Sequence, residues 1–361
     1  MVKALQEDIK SIYIHIPFCK NICSYCDFAK LYYKEELVSE YLESLKYEID
    51  TNYKHEKIKT LYIGGGTPSS LSEKSLNKLF QIIKVIKLDR NYEFTFECNI
   101  EDINIDLLKT LKNNKVNRIS IGVESFNKKI LKILNRSYDF SIEEKIELVK
   151  QYFNNINIDL MYGVNTETLR ILKNDLKRFI KLNINHISIY SLILEDHTFL
   201  KVNNYKEIDD NLDREMYDYI CKYLKKHSFI HYEISNFSKD GYQSIHNLTY
   251  WNNDKYYGFG LGASGFIKNY RYTNTRNINK YIKHDYILEK DKMTKKTNME
   301  NEMILGLRKL IGVNDNIFYK KYNCHIKDVF NTKNLEYKNN YYFISEDNLY
   351  ISNCILEDFI D

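Results

Sequence analysis

The sequence predicts an α/β protein: a partial, open (β/α)6 barrel followed by a small α+β domain. Three observations lead there. Six short β-rich runs alternate with segments of helical periodicity over the first half of the chain. Polar residues collect at the C-terminal ends of those runs, the rim where such barrels carry their chemistry. After about residue 200 the alternation gives way to a mixed pattern.

Taken in order, the strand runs are Ser11–Ile16, Thr60–Gly64, Glu93–Cys98, Arg118–Val123, Asn157–Met161 and His186–Leu192. Val38, Leu42, Leu45 and Ile49 recur at helical spacing after the first run, and Leu76, Leu79, Ile83 and Ile86 after the second. Leu107, Leu108 and Leu111 mark a third helix, Ile142–Phe153 a fourth and Leu169–Leu182 a fifth. Six units are too few to close an eight-stranded barrel, so an open one is expected. Beyond it come a helix over Asn211–His227, a strand over Ile230–Ile234, the segment His246–Trp251 and a glycine-rich turn. The polar run Lys290–Lys296 reads as an exposed linker. The tail reads as a helix at Glu302–Leu310, a β-like run at Tyr341–Ser345 and a final helix at Asn353–Ile360. The expected division is a barrel domain over 1–270 and a small domain over 271–361.

Composition excludes several classes. A chain of 361 residues, 43% hydrophobic, can bury a large core. No apolar run reaches the length of a membrane span. A net charge of +4, evenly spread, gives no argument for nucleic acid. Seven cysteines without a secretory leader point to reduced thiols in a cytoplasmic protein, not to a disulfide framework. The only two prolines, Pro17 and Pro68, both fall inside candidate site motifs, and Gly64, Gly65 and Gly66 stand together.

The sharpest signal is Cys19, Cys23 and Cys26, spaced by three residues and then two on the loop after the first strand. Three thiolates so placed can ligate three irons of a cubic cluster and leave the fourth open. A structural zinc site wants a fourth ligand, and His15, Asp27 and Cys98 give no familiar spacing for one. Cys98, Cys221, Cys324 and Cys354 are scattered singly and read as small hydrophobes. Gly64–Pro68 after the second strand allows close backbone approach to a ligand, where an ordinary turn would need one glycine. Glu97, Glu124 and Asp159 end strands three, four and five, and read either as solvated strand ends or as partners for hydroxyls and amines. Arg136 reads as a surface charge or a carboxylate partner. His246, beside Tyr250 and the single tryptophan Trp251, is either a structural loop histidine or a metal ligand next to an apolar face.

The stretches Tyr-Ile-His-Ile-Pro-Phe-Cys at 13–19, Gly-Gly-Gly-Thr-Pro-Ser at 64–69, Gly-Val-Glu-Ser-Phe at 122–126 and Asp-Leu-Met-Tyr-Gly at 159–163 resemble one branch of the radical S-adenosylmethionine (SAM) superfamily. The resemblance continues through 232–237, 246–251, 258–263 and 305–308. That branch contains oxygen-independent coproporphyrinogen III oxidase and the HemW-type haem chaperone. The resemblance implies that Cys19, Cys23 and Cys26 hold a 4Fe-4S cluster and that Tyr13, Tyr25, Gly65, Gly66, Thr67 and Glu97 bind cluster-bound SAM. Glu124, Arg136 and Asp159 fall where the oxidase has a second SAM, and His246 falls in the segment associated with haem. The oxidase has a further cysteine where this chain has Phe28, and a longer N-terminal extension; both differences point to the chaperone type. Departures cluster in the second-SAM region: glutamate at Glu124, tyrosine at Tyr138, Val164-Asn165-Thr166 and Ala263-Ser264-Gly265.

The function so implied is haem binding and transfer to an acceptor protein. It brings with it a reductant for the cluster and peripheral association with membrane haem proteins. The alternative is the oxidase itself or another enzyme that generates a 5′-deoxyadenosyl radical.

Overall fold

The computed structural model describes residues 9–360. All six strand runs form and pair in series: β1 (Ser11–Ile16), β2 (Lys57–Gly65), β3 (Lys87–Asn99), β4 (Arg118–Glu124), β5 (Asn155–Tyr162) and β6 (His186–Ser191). Every pairing among them is parallel. The intervening helices include 35–52, 73–83, 105–113, 142–150 and 169–181, so the fourth ends a little before the expected Phe153.

The strands alternate polar and apolar residues, as in Ser11-Ile12-Tyr13-Ile14-His15-Ile16 and Glu93-Phe94-Thr95-Phe96-Glu97-Cys98. In a strand this period of two sends alternate side chains to opposite faces. Ile12, Ile14, Phe94, Phe96, Ile119, Ile121, Ile158 and Ile187 pack in one core with Val38, Leu42, Leu45, Leu79, Leu108 and Leu176 of the helices. The polar set faces the other way and lines the lumen. Parallel sheets covered on both faces usually read as continuous apolar runs, so this alternation is the mark of a polar interior.

Beyond β6 the sheet grows at both edges. Strands β7 (Ile230–Glu233) and β8 (Asn236–Ser238) add an antiparallel hairpin next to β6. At the other edge β9 (Tyr257–Phe259) pairs in parallel with β1, giving the order β9-β1-β2-β3-β4-β5-β6-β8-β7. The expected glycine-rich turn is therefore in part a strand. Gly258 sits there because a Cβ would fall 1.8 Å from the Ser264 carbonyl oxygen.

The expected linker at Lys290–Lys296 is not one. Residues Ile287–Lys292 form β12, which pairs with β11 (Tyr270–Asn274), itself paired with β10 (Ser264–Ile267); a helix then starts at Lys295. The strand is exposed along its whole length, so its composition reads as polar linker while its backbone is held by the ladder. The helix expected at Glu302–Leu310 spans 295–306, and the β-like run is the strand Tyr341–Phe343 in a three-stranded sheet with 313–314 and 336–338. Met303, Leu307, Phe318, Ile326, Ile344 and Phe359 form the separate core of the tail. We propose that the small domain starts near Lys295, after the 264–292 sheet that runs across residue 270. No described helix is long and apolar enough to cross a membrane.

Candidate functional site

The cysteine loop begins where β1 ends. Phe18–Cys19 pairs in parallel with Leu31–Tyr32, fixing the first thiol. Ser24 bonds through its hydroxyl to the Ile133 carbonyl at 2.7 Å, and Asn135 donates to the Ile22 carbonyl at 2.9 Å. These contacts tie the middle of the loop to the helix after β4. The Gly64–Pro68 loop packs directly on it: Gly66 N–H donates to Ile16 O at 2.8 Å and Thr67 N–H to Phe18 O at 2.9 Å. A Cβ on Gly66 would stand 2.7 Å from the Pro17 carbonyl carbon and 3.0 Å from Cys19 Sγ, and Gly65 holds φ +116 against the His15 ring. Close approach and a left-handed backbone, not flexibility, explain this run of glycines.

All seven cysteines are free. Burial pushes the Cys19 thiol up to about 11 against the opposing Thr67 hydroxyl, and raises Cys23 and Cys26 as well. Among the described residues no group of three or more His, Cys, Asp or Glu converges to hold one metal ion. Cys19, Cys23 and Cys26 instead share the wall of one cavity. Three thiols on one cavity wall are a donor set that could meet three irons of a cubic cluster.

Glu97 and Glu124 come from the ends of β3 and β4, and Asp159 from the middle of β5. Glu97 accepts from the Gly65 N–H at 2.9 Å and the Tyr62 hydroxyl at 2.7 Å. Burial pushes it up to about 7, with those two bonds opposing. Glu124 ends β4 at φ +66, where the register with β5 shifts. A bulge of this kind re-aims a side chain. Its carboxylate meets Arg136 at 3.1 Å, a pair less than a tenth exposed on either side, and Arg136 also donates to Asn99 Oδ1 at 3.0 Å. Burial raises Glu124, opposed by the Arg136 charge. Asp159 accepts from Asn157 at 2.8 Å and from Ser120 at 3.3 Å, and burial raises it too.

One cavity of about 570 Å³ is lined by Cys19, Cys23, Tyr25, Cys26, Gly65, Gly66, Thr67, Glu97, Glu124, Arg136 and Asp159. A second, of about 520 Å³, shares Cys23, Asn99 and Arg136 with it and extends to Tyr138. Two expected residues are not on the wall. Tyr13 bonds His15 Nδ1 at 2.9 Å and lies against Tyr62 and His246. His246 is 1% exposed in the helix Ile245–Trp251, with Nδ1 on the Thr60 hydroxyl and Nε2 on the Tyr250 hydroxyl, both at 2.8 Å. Burial drives its basicity down to about 3. That helix closes the N-terminal end of the barrel. Glu93 accepts from the N–H groups of Ile245 and His246, Ser244 caps Asn247, and Ser11 meets Thr249 at 2.9 Å. Only Asn247 of the helix reaches the cavity.

Sequence reasoning missed Tyr62, Arg118, Ser120, Asn157, Ser188, Tyr190, Ile193 and Asn247, which also line it. The signal for the strand residues among them was present, in the polar members of the period-two pattern.

The sequence model of a family described as the radical SAM superfamily matches residues 13–179. The chain is 39% identical over 330 residues to the heme chaperone HemW of Lactococcus lactis subsp. lactis (strain IL1403), covering 89% of this chain and 87% of that one. It is 39% identical over 340 residues to heme chaperone HemW of Bacillus subtilis (strain 168), covering 89% of each. The corresponding Escherichia coli (strain K12) protein is 30% identical over 331 residues, with 88% and 87% covered. Among solved structures, coproporphyrinogen III oxidase (HemN) from Escherichia coli, a radical SAM enzyme, superposes with a TM-score of 0.86 over 98% of this chain and 90% of that chain. At 20% identity that likeness establishes the fold alone.

Proposed function

The chain belongs to the HemW family of the radical SAM superfamily, and on that basis we propose that it binds haem and transfers it to an acceptor protein. Cys19, Cys23 and Cys26 would hold a 4Fe-4S cluster, which when bound supplies an iron open to SAM and a one-electron redox centre. Gly65, Gly66, Thr67 and Glu97 would hold the SAM, with Glu97 facing its polar groups.

The observation that carries haem handling over porphyrinogen oxidation is the mouth of the cavity. Phe28, 67% exposed where the oxidase has a cysteine, stands there with Ile193, 63% exposed, and Tyr190. Such a lip suits one face of a flat macrocycle and an acceptor that takes it away. The Glu124–Arg136 pair supports the same reading, because that guanidinium is already neutralised and bonded within the protein. His246 is expected to close the barrel floor, since both its ring nitrogens are engaged.

The test is anaerobic reconstitution of wild type, Cys23→Ala and His246→Ala, followed by haem titration and a coproporphyrinogen turnover assay. One haem per wild-type chain, no protoporphyrinogen, and loss of the cluster absorption in Cys23→Ala are expected. Robust turnover overturns the chaperone reading. Loss of haem from His246→Ala at an unchanged melting temperature makes His246 an iron ligand and overturns the placement at the lip.

A further inference from the structure

Arg118, the first residue of β4, is 2% exposed and lines the cavity from inside the barrel. Its guanidinium is always charged and carries five N–H donors. Among the described residues it makes no hydrogen bond or ion pair, and its Nε is buried without a partner. In register with it on β3, the buried hydroxyl of Thr95 also has no partner. A buried charge of this kind is costly unless a counter-group meets it.

The polar groups around it do not supply one. Asn157 Nδ2, with two N–H groups, lies 2.7 Å from Ser120 Oγ, 2.8 Å from Asp159 Oδ1 and 2.9 Å from Ser188 Oγ, and its carbonyl oxygen accepts from His186 at 2.6 Å. That network closes on itself. Glu97 and Asp159 feel the Arg118 charge through space, yet bond elsewhere. The other cations on the cavity wall are engaged. Arg136 holds Glu124 and Asn99, Lys30 donates to the Cys26 carbonyl, and Arg276 faces Asp27 at 3.9 Å.

We propose that Arg118 is a carboxylate receptor inside the barrel, and that it takes a propionate of the porphyrin whose ring rests at the lip. A planar guanidinium pairs two N–H groups with two carboxylate oxygens, which a lysine cannot do. The identity of the ligand rests on the haem reading above; the unpaired guanidinium facing the cavity does not.

The probes are iron protoporphyrin IX and its dimethyl ester, titrated by visible absorption into the cluster-reconstituted full chain as wild type, Arg118→Gln and Arg118→Lys. Wild type should bind the free acid at least about tenfold more tightly than the ester, the scale of a charged hydrogen bond. Arg118→Gln should erase that preference by weakening the acid alone, and Arg118→Lys should restore part of it. Equal wild-type affinities for acid and ester overturn this inference alone and leave the haem reading in place. So does Arg118→Gln weakening both porphyrins alike, which would make Arg118 only a counter-charge for Glu97 and Asp159. Failure of wild type to bind either porphyrin overturns the haem reading and this inference together.

Discussion

Glu93 and Glu97 lie four residues apart on one strand and face the same lumen. Glu93 meets the two leading N–H groups of the helix Ile245–Trp251 and is 5% exposed. Glu97 meets one backbone N–H, from Gly65, and one tyrosine hydroxyl, and borders the cavity with the cysteine loop. The floor carboxylate is used up in capping a helix, where an anion satisfies orphan donors and the helix dipole together. The rim carboxylate keeps a side toward a ligand. Residue type and strand face are the same in both; what differs is the element that covers each end of the barrel. One end is sealed by a helix that arrives from far along the chain, and the other is left to two loops that touch each other through Gly66 and Cys19.

If the rim depends on that loop-to-loop contact, Gly66→Ala should do the most damage. The added Cβ meets the Pro17 backbone and Cys19 Sγ, neither of which can move without displacing the cysteine loop. Most of the cluster's visible absorption after reconstitution should be lost while far-UV circular dichroism stays native. Full cluster loading would break the claim that the two loops position one another.

Glu93→Gln tests the floor. It keeps one acceptor and sets an N–H donor against the other buried backbone N–H, so chemical denaturation should show a loss of about 2 kcal/mol. SAM affinity, measured by calorimetry, should stay within about twofold of wild type on this reading, because Glu93 is not on the cavity wall. A large drop in affinity would mean that floor and rim are one unit.

Glu97→Gln gives the smallest stability change and the clearest pH signature. The folded-state value of Glu97 is raised from 4.5 to about 7, so its contribution to stability is present below the unfolded value and lost as pH rises through about 7. The variant, which cannot ionise, should gain on wild type over that interval by about 1–2 kcal/mol, a figure reduced because the group borders the cavity. SAM binding should move oppositely. Wild type should lose affinity as pH falls below about 7, and the variant should be weak throughout. Parallel pH profiles for the two proteins would show that Glu97 is not the titrating group.

Much of this was legible in the residues. The six strand runs, the helix faces between them and the rim addresses of Cys19, Glu97 and Glu124 follow from local periodicity and motif spacing. Period two also marked the lumen: Arg118, Ser120 and Asn157 are the polar members of otherwise apolar strands, a pattern foreign to a parallel sheet with two apolar faces. The exposed strand Ile287–Lys292 was illegible for the opposite reason. None of its side chains is buried, and only its backbone records the ladder.

His246 shows where sequence reasoning ends. A histidine near tyrosines and a tryptophan suits a metal ligand or a sealed core position equally well. The choice is made by Thr60, which lies 186 positions away and takes Nδ1, and by Glu93, 153 positions away, which takes the helix N–H groups. The pairing of Tyr257–Phe259 with β1 and the orphaned guanidinium of Arg118 were decided in the same way. The sequence by itself determined which faces are apolar, where the thiols stand and which family the motifs resemble, because each is written in neighbouring residues. Tertiary structure alone decided which polar groups are spent on one another and which are left for a ligand, because hydrogen bonds across a barrel join residues with no local relation.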